Sequence, residues 1–125
     1  MLKTILLVGI GGAIGSIFRY VTHWITTKYF QSSFPLSTFL VNVIGSLIIG
    51  LLIGYLGKYF PENHPLKFLL IVGFCGGFTT FSSFALENYN LLQTNQQFMA
   101  YLYIISSIVL TITAVGIGNY LAKYL

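Results

Sequence analysis

The residues with chemistry to offer are few, and most lie in one run. From Gly73 to Phe84 the chain reads GFCGGFTTFSSF, with three glycines, two threonines, two serines and no charge. Each glycine lowers helix propensity by about 1 kcal/mol relative to alanine, and β-branched threonine also disfavours helix. A helix break is therefore expected near Cys75–Thr80. Broken backbone at membrane depth is tolerated only where it is buried in protein or lines water. Freed carbonyls there can hold a cation, and freed N–H groups can meet an anion. Beyond the break, Phe81 and Phe84 are spaced i, i+3 and share a helix face. Such a pair is more often packing than function. Yet an aromatic ring has a positive edge. Two such edges beside the Ser82 and Ser83 hydroxyls could line a path for a small anion, with no fixed charge to trap it.

Other polar residues punctuate apolar surroundings. Arg19 stands 15 residues after Thr4, about 22 Å along a helix. It either faces a cavity or partner, or snorkels to the headgroups beside Tyr20, His23 and Trp24. Asn42, in TFLVNVIG, either glues helices together or offers its amide donors to an anion; spacing alone favours glue. Glu87 could couple protons, accept a structural hydrogen bond or mark an interface, and its place beside Asn88 and Asn90 favours the last two. Ser106, Ser107, Thr111 and Thr113 can bond back to their own helix backbone or together line a polar track.

These residues need elements to hold them. The chain has 125 residues, 56% hydrophobic and only 6% charged, with a mean hydropathy of +0.85. A typical soluble protein is roughly a quarter charged. An integral membrane protein is expected, with one domain over residues 1–125. Four stretches reach the roughly 20 apolar residues that a bilayer core requires: Thr4–Thr27, Ser37–Gly57, Leu66–Leu92 and Phe98–Ala122. The connectors 29–35, 58–65 and 93–97 carry the polar residues and, within them or at their edges, all three prolines. The apolar run after Met1 is read as a retained helix rather than a cleaved leader. G-x-x-x-G occurs as Gly11/Gly15, Gly50/Gly54 and Gly73/Gly77, spacings that let helices approach closely in lipid.

Several functions are excluded or disfavoured. The basic residues are scattered singly, which argues against nucleic acid. LLVGIGGAIG (6–15) resembles a dinucleotide-binding start, but position 14 is Ile14 and no acid follows about 20 residues on. Cys75 is the lone cysteine and can form no intrachain disulfide. No Ser, His and acid set can be placed together, so an enzyme is not expected. A proton-coupled small four-helix multidrug exporter is the alternative transporter, but that class relies on a first-helix Glu, and the first span here has none. A scaffold without transport is the second rival.

Three blocks resemble the small dual-topology fluoride channels known as the Fluc, or CrcB-like, family. They are GGAIGSIFRY (11–20), TFLVNVIGS (38–46) and GFCGGFTTFSSF (73–84), with Ser16 where Ala is usual and Ser83 where Thr is common. The resemblance implies an all-α membrane fold of four helices with a broken third helix, assembled as an antiparallel dimer with two pores. It implies fluoride as the permeating ion, exported passively across the cell membrane. Asn42, Phe81 and Phe84 match pore residues, and Ser82 and Ser83 match a polar track whose further position is Ala85 here. Main-chain oxygens of Gly76 and Thr79 match those holding a structural sodium ion, and Arg19 matches a vestibule or fold-support arginine. Lys3, Lys58, Lys67 and Lys123 lie on the side of the termini, against Lys28 on the other, joined by Arg19 if it snorkels that way. That bias sits awkwardly with one chain inserting both ways, so a paired homologous chain of opposite orientation is the other assembly.

Overall fold

The computed structural model describes all 125 residues, Met1–Leu125. Four helical spans long and apolar enough to cross a membrane run over Leu2–Tyr29, Leu36–Tyr59, Pro65–Gln93 and Gln97–Tyr124. Each extends the sequence-based bounds by one or two residues at both ends. Apolar counting ends where Tyr29, Tyr59 and Gln93 begin, but backbone hydrogen bonding continues through such residues into the headgroup zone.

The first, second and fourth spans are continuous, and the third is composite. It begins with the α-turn Pro65–Lys67, continues as a π-helix over Phe68–Cys75 and returns to α-geometry over Gly76–Phe78. Thr79 then leaves the helix, with φ −85° and ψ 159°, and a new helix runs over Ser82–Gln93. The break thus falls at the far end of the expected interval. Gly73, Gly76 and Gly77 are all helical.

These glycines serve close approach. A Cβ on Gly11 would overlap the carbonyl oxygen of Leu69, one on Gly15 that of Phe74, and one on Gly77 that of Gly12. The first helix and the third span therefore meet backbone to backbone through Gly11/Gly15 and Gly73/Gly77. The second and fourth helices meet in the same way: Gly50 abuts the Val115 carbonyl, and Gly118 abuts that of Leu47. Lipid tails are as apolar as leucine, so contact of this kind supplies association that hydrophobic burial cannot.

Polar ties fasten the ends. The Lys58 ammonium donates to the Ala122 carbonyl at 2.7 Å and the Lys123 carbonyl at 2.9 Å, closing the last turn of the fourth helix. Glu62 of a connector and Lys67 in the first turn of the third span form the only ion pair, at 3.4 Å. Few side chains are fully buried, Tyr103, Val41 and Cys75 being the largest. Most large apolar residues of the first and fourth helices face outward, as a lipid-facing surface requires.

Candidate ion pathway

The break in the third span is held open by specific bonds. Thr79 donates both its N–H and its hydroxyl to the Cys75 carbonyl, at 3.0 and 2.8 Å, ending the preceding helix. The Thr80 N–H, which would otherwise continue that helix, donates instead to Asn42 Oδ1 at 2.8 Å. Asn42 Nδ2 donates to the Thr80 carbonyl at 3.0 Å. The Thr80 hydroxyl accepts from the Ser83 N–H at 3.2 Å, capping the helix that follows.

Several carbonyls are released as a result, those of Gly76 and Thr79 among them. No hydrogen bond within the chain ends on the main-chain oxygen of Gly76 or Thr79. A Cβ on Gly76 would meet nothing within 4 Å, so this backbone lies on an open face. Free main-chain oxygens are the ligands that hard monovalent and divalent cations favour.

Phe81 and Phe84 follow on one side of the resumed helix, with ring centroids 5.5 Å apart. Their surroundings differ. Phe84 meets the buried Tyr103 ring edge-on at 5.0 Å, while Phe81 is 79% exposed. Ser82 is exposed and Ser83 half-buried.

Three cavities share lining residues. At one end of the bundle a mouth of about 600 Å³ is lined by Thr26, Gln31, Ser33, Asn90, Thr94 and Gln96, among others. It shares His23, Thr38 and Glu87 with a narrower chamber of about 300 Å³, which adds Arg19, Ser16, Ser83 and Thr80. Thr80 also borders a groove of about 570 Å³ along the third span, lined by Asn42, Phe81, Phe84, Ser107 and Thr111. The groove is open on the outer face of the chain. Every residue singled out from the sequence as a pathway group borders one of these cavities except Ser82, whose hydroxyl lies 3.5 Å from that of Thr80.

Arg19 is half-buried against the inner chamber and makes no hydrogen bond or ion pair within the chain. Of its two readings, the cavity-facing one matches this position. Glu87 accepts from the Thr38 hydroxyl at 2.5 Å and the Tyr103 hydroxyl at 3.2 Å, a structural acceptor joining three spans. Ser106, Thr111 and Thr113 bond back to their own helix at 2.6 Å, as expected for such residues.

Sequence reasoning passed over Ser107, Thr80, Thr38 and Tyr103 as individuals. The Ser107 hydroxyl is buried beside the groove and has no partner within the chain. Thr38 carried a usable signal, because it precedes Asn42 by four residues and shares its helix face. Nothing in the local sequence separates Ser107 from Ser106. Their difference is one of helix face, which only the packed neighbours define.

The same arrangement of blocks has relatives. Residues 6–119 match the model of the family described as CrcB-like protein, Camphor Resistance. The chain belongs to the CrcB-like family. A protein of Flavobacterium psychrophilum named fluoride-specific ion channel FluC is 48% identical over 124 residues, covering 99% of this chain and 100% of its own length. One of the same name from Azobacteroides pseudotrichonymphae is 44% identical, covering 99% of both chains. A third of the same name, from Pyrococcus abyssi, is 40% identical, covering 98% of both chains. These relatives are named as channels, not enzymes. As a CrcB-like chain with four spanning helices, the protein is a multi-pass membrane protein.

Proposed function

We propose that this chain is a passive, fluoride-selective channel that lowers cytoplasmic fluoride by letting it leave across the cell membrane. The observation that carries this reading is near-full-length similarity, at 40–48% identity, to proteins named fluoride-specific ion channel. The small multidrug exporter is not favoured, since the first helix holds no carboxylate.

The pathway groups suit a small, strongly hydrated anion. The chambers bring the ion to Thr80 and Ser83, with the Arg19 guanidinium offering an attractive field. Beyond them, hydroxyls, the Asn42 amide and the Phe81 and Phe84 ring edges replace water piecemeal. None of these inner groups carries a full charge, so binding remains weak enough for release. A narrow path of donors fitted to fluoride discriminates against chloride, whose larger radius matches neither the spacing nor the hydration cost.

Two antiparallel copies forming two pores complete the reading. Its support is the incomplete wall: Phe81 projects outward, Gly76 is uncovered and the groove lacks one side. A second copy would supply that side, and a paired homologous chain of fixed opposite orientation would do the same. The Gly76 and Thr79 carbonyls fit a structural sodium ion, which would neutralise converging carbonyl dipoles where the two broken spans meet. Fluoride and chloride electrodes on vesicles holding the purified protein test the function. Rapid fluoride release with negligible chloride release is expected. A folded sample that releases neither ion, alone or co-expressed with a homologous chain, would overturn it.

A further inference from the structure

The second and fourth helices end side by side, away from the ion pathway. Lys58 and Lys123 each stand next to the last residue of their spans, Leu36–Tyr59 and Gln97–Tyr124, and neither borders any of the three cavities. Both are exposed. The Lys58 ammonium gives two of its three N–H groups to the Ala122 and Lys123 carbonyls, at 2.7 and 2.9 Å, which fixes it against the Lys123 backbone. Those carbonyls belong to a helix C-terminus worth about half a negative charge, so about half of the ammonium charge is left over. Lys123 Nζ makes no hydrogen bond and lies 5.5 Å from the centre of the Tyr120 ring. Glu62 is taken by Lys67, and no carboxylate lies within ion-pair distance of Lys58 or Lys123. Four exposed tyrosines frame the two lysines. Tyr55 and Tyr59 pair on the second helix with ring centroids 5.0 Å apart, and Tyr120 and Tyr124 pair on the fourth at 5.5 Å, hydroxyls 2.9 Å apart. The Tyr59 hydroxyl donates to the Leu125 carbonyl at 3.4 Å, linking the two pairs. The opposite end of the bundle has no such patch: its lysine, Lys28, lies over the Trp24 and Tyr29 rings at 5.1 and 5.4 Å.

We propose that Lys58 and Lys123, framed by these tyrosines, bind the phosphate of an anionic phospholipid in the leaflet that faces the termini. The proposal depends on the chain spanning a membrane and not on which ion it conducts. Tyrosines exposed at span ends sit at headgroup level, where lipid phosphates are the abundant anions. A zwitterionic headgroup brings its own cation against the lysines, whereas an anionic one does not. Each lysine near an anionic membrane surface favours binding by about fivefold. Lys58 is already ordered by its two bonds to the fourth helix, so little side-chain freedom is lost on binding. The tyrosine hydroxyls can add donors to the remaining phosphate oxygens. A bound lipid would bridge the second and fourth helices where Lys58 already joins them.

The test incubates the purified chain in mild detergent with equal amounts of phosphatidylglycerol and phosphatidylcholine, separates free lipid by size exclusion and quantifies retained lipid by mass spectrometry. The wild-type chain is expected to retain phosphatidylglycerol over phosphatidylcholine by at least about fivefold. Lys123→Gln removes a side chain that makes no hydrogen bond, so it should fold as the wild type does, and it should lower that ratio by about fivefold. Lys123→Arg should keep the ratio, and so should Lys28→Gln at the far end. Excess inorganic phosphate during incubation should displace no lipid. A wild-type chain with no preference, a Lys123→Gln ratio equal to the wild type, or an equal loss in Lys28→Gln would overturn the site. Displacement by inorganic phosphate would assign the patch to soluble anions and overturn its assignment to lipid.

Discussion

Asn42 and Thr80 exchange two hydrogen bonds across the bundle, amide nitrogen to carbonyl at 3.0 Å and N–H to amide oxygen at 2.8 Å. The side chain imitates the strand-like pairing that a broken backbone has lost. Asn42 was a choice between helix glue and anion donor, and its bonds within the chain are those of glue. One amide hydrogen remains beyond the one given to Thr80, and the residue borders the groove, so pore duty is compatible with the structural one.

Asn42→Ala should therefore cost stability as well as flux. Thr80 is buried, and leaving its N–H and carbonyl unpaired costs about 2–4 kcal/mol. Thermal unfolding in detergent should show a lowered midpoint. A variant with unchanged stability and lost flux would assign Asn42 to the pore alone.

Phe81→Ile should behave differently. The ring is exposed in the single chain, so its replacement removes little packing and the subunit should unfold at nearly the wild-type temperature. Fluoride efflux should fall at least about tenfold, the loss of about 1.4 kcal/mol of ring-edge stabilisation at the rate-limiting site. Wild-type efflux from a folded Phe81→Ile sample would remove the ring from the mechanism.

Tyr103 separates ring from hydroxyl. Tyr103→Phe keeps the edge contact with Phe84 and loses only the bond to Glu87, a cost of about 1–2 kcal/mol. Tyr103→Ala opens a fully buried site and should cost about 3–5 kcal/mol. Equal destabilisation by the two, read from chemical or thermal unfolding, would contradict this division.

The glycines divide by what surrounds them. Gly15→Val would drive a side chain into the Phe74 carbonyl, and the first helix should no longer seat on the third span. Gly9→Ala and Gly57→Ala meet nothing within 4 Å and should be neutral or slightly stabilising, since alanine is the better helix former. Expression and size-exclusion profiles in detergent would show the contrast.

Much of this was legible before any fold. Four spans follow from apolar length, because lipid leaves the backbone no partner but itself. The G-x-x-x-G pairs announced close helix contacts, and Gly11/Gly15 and Gly73/Gly77 prove to be each other's partners. The region of the break was visible as well, though not its place: the first helix packs on Gly73 and Gly77, which stay helical with Gly76, and Thr79 turns out where Asn42 takes the Thr80 N–H. The π-helical stretch Phe68–Cys75 had no local signal in the sequence.

What the amino-acid order determined alone was chemistry and length: which residues are apolar enough to span, which few are polar, and which spacing puts Phe81 beside Phe84. What only the tertiary structure decided was direction. Whether Ser107 or Ser106 faces the groove, whether Arg19 reaches a chamber or the headgroups, and whether Glu87 is free or held by Thr38 and Tyr103 all depend on which neighbour covers which helix face. A helix presents every side chain outward, and its own sequence cannot say what stands opposite.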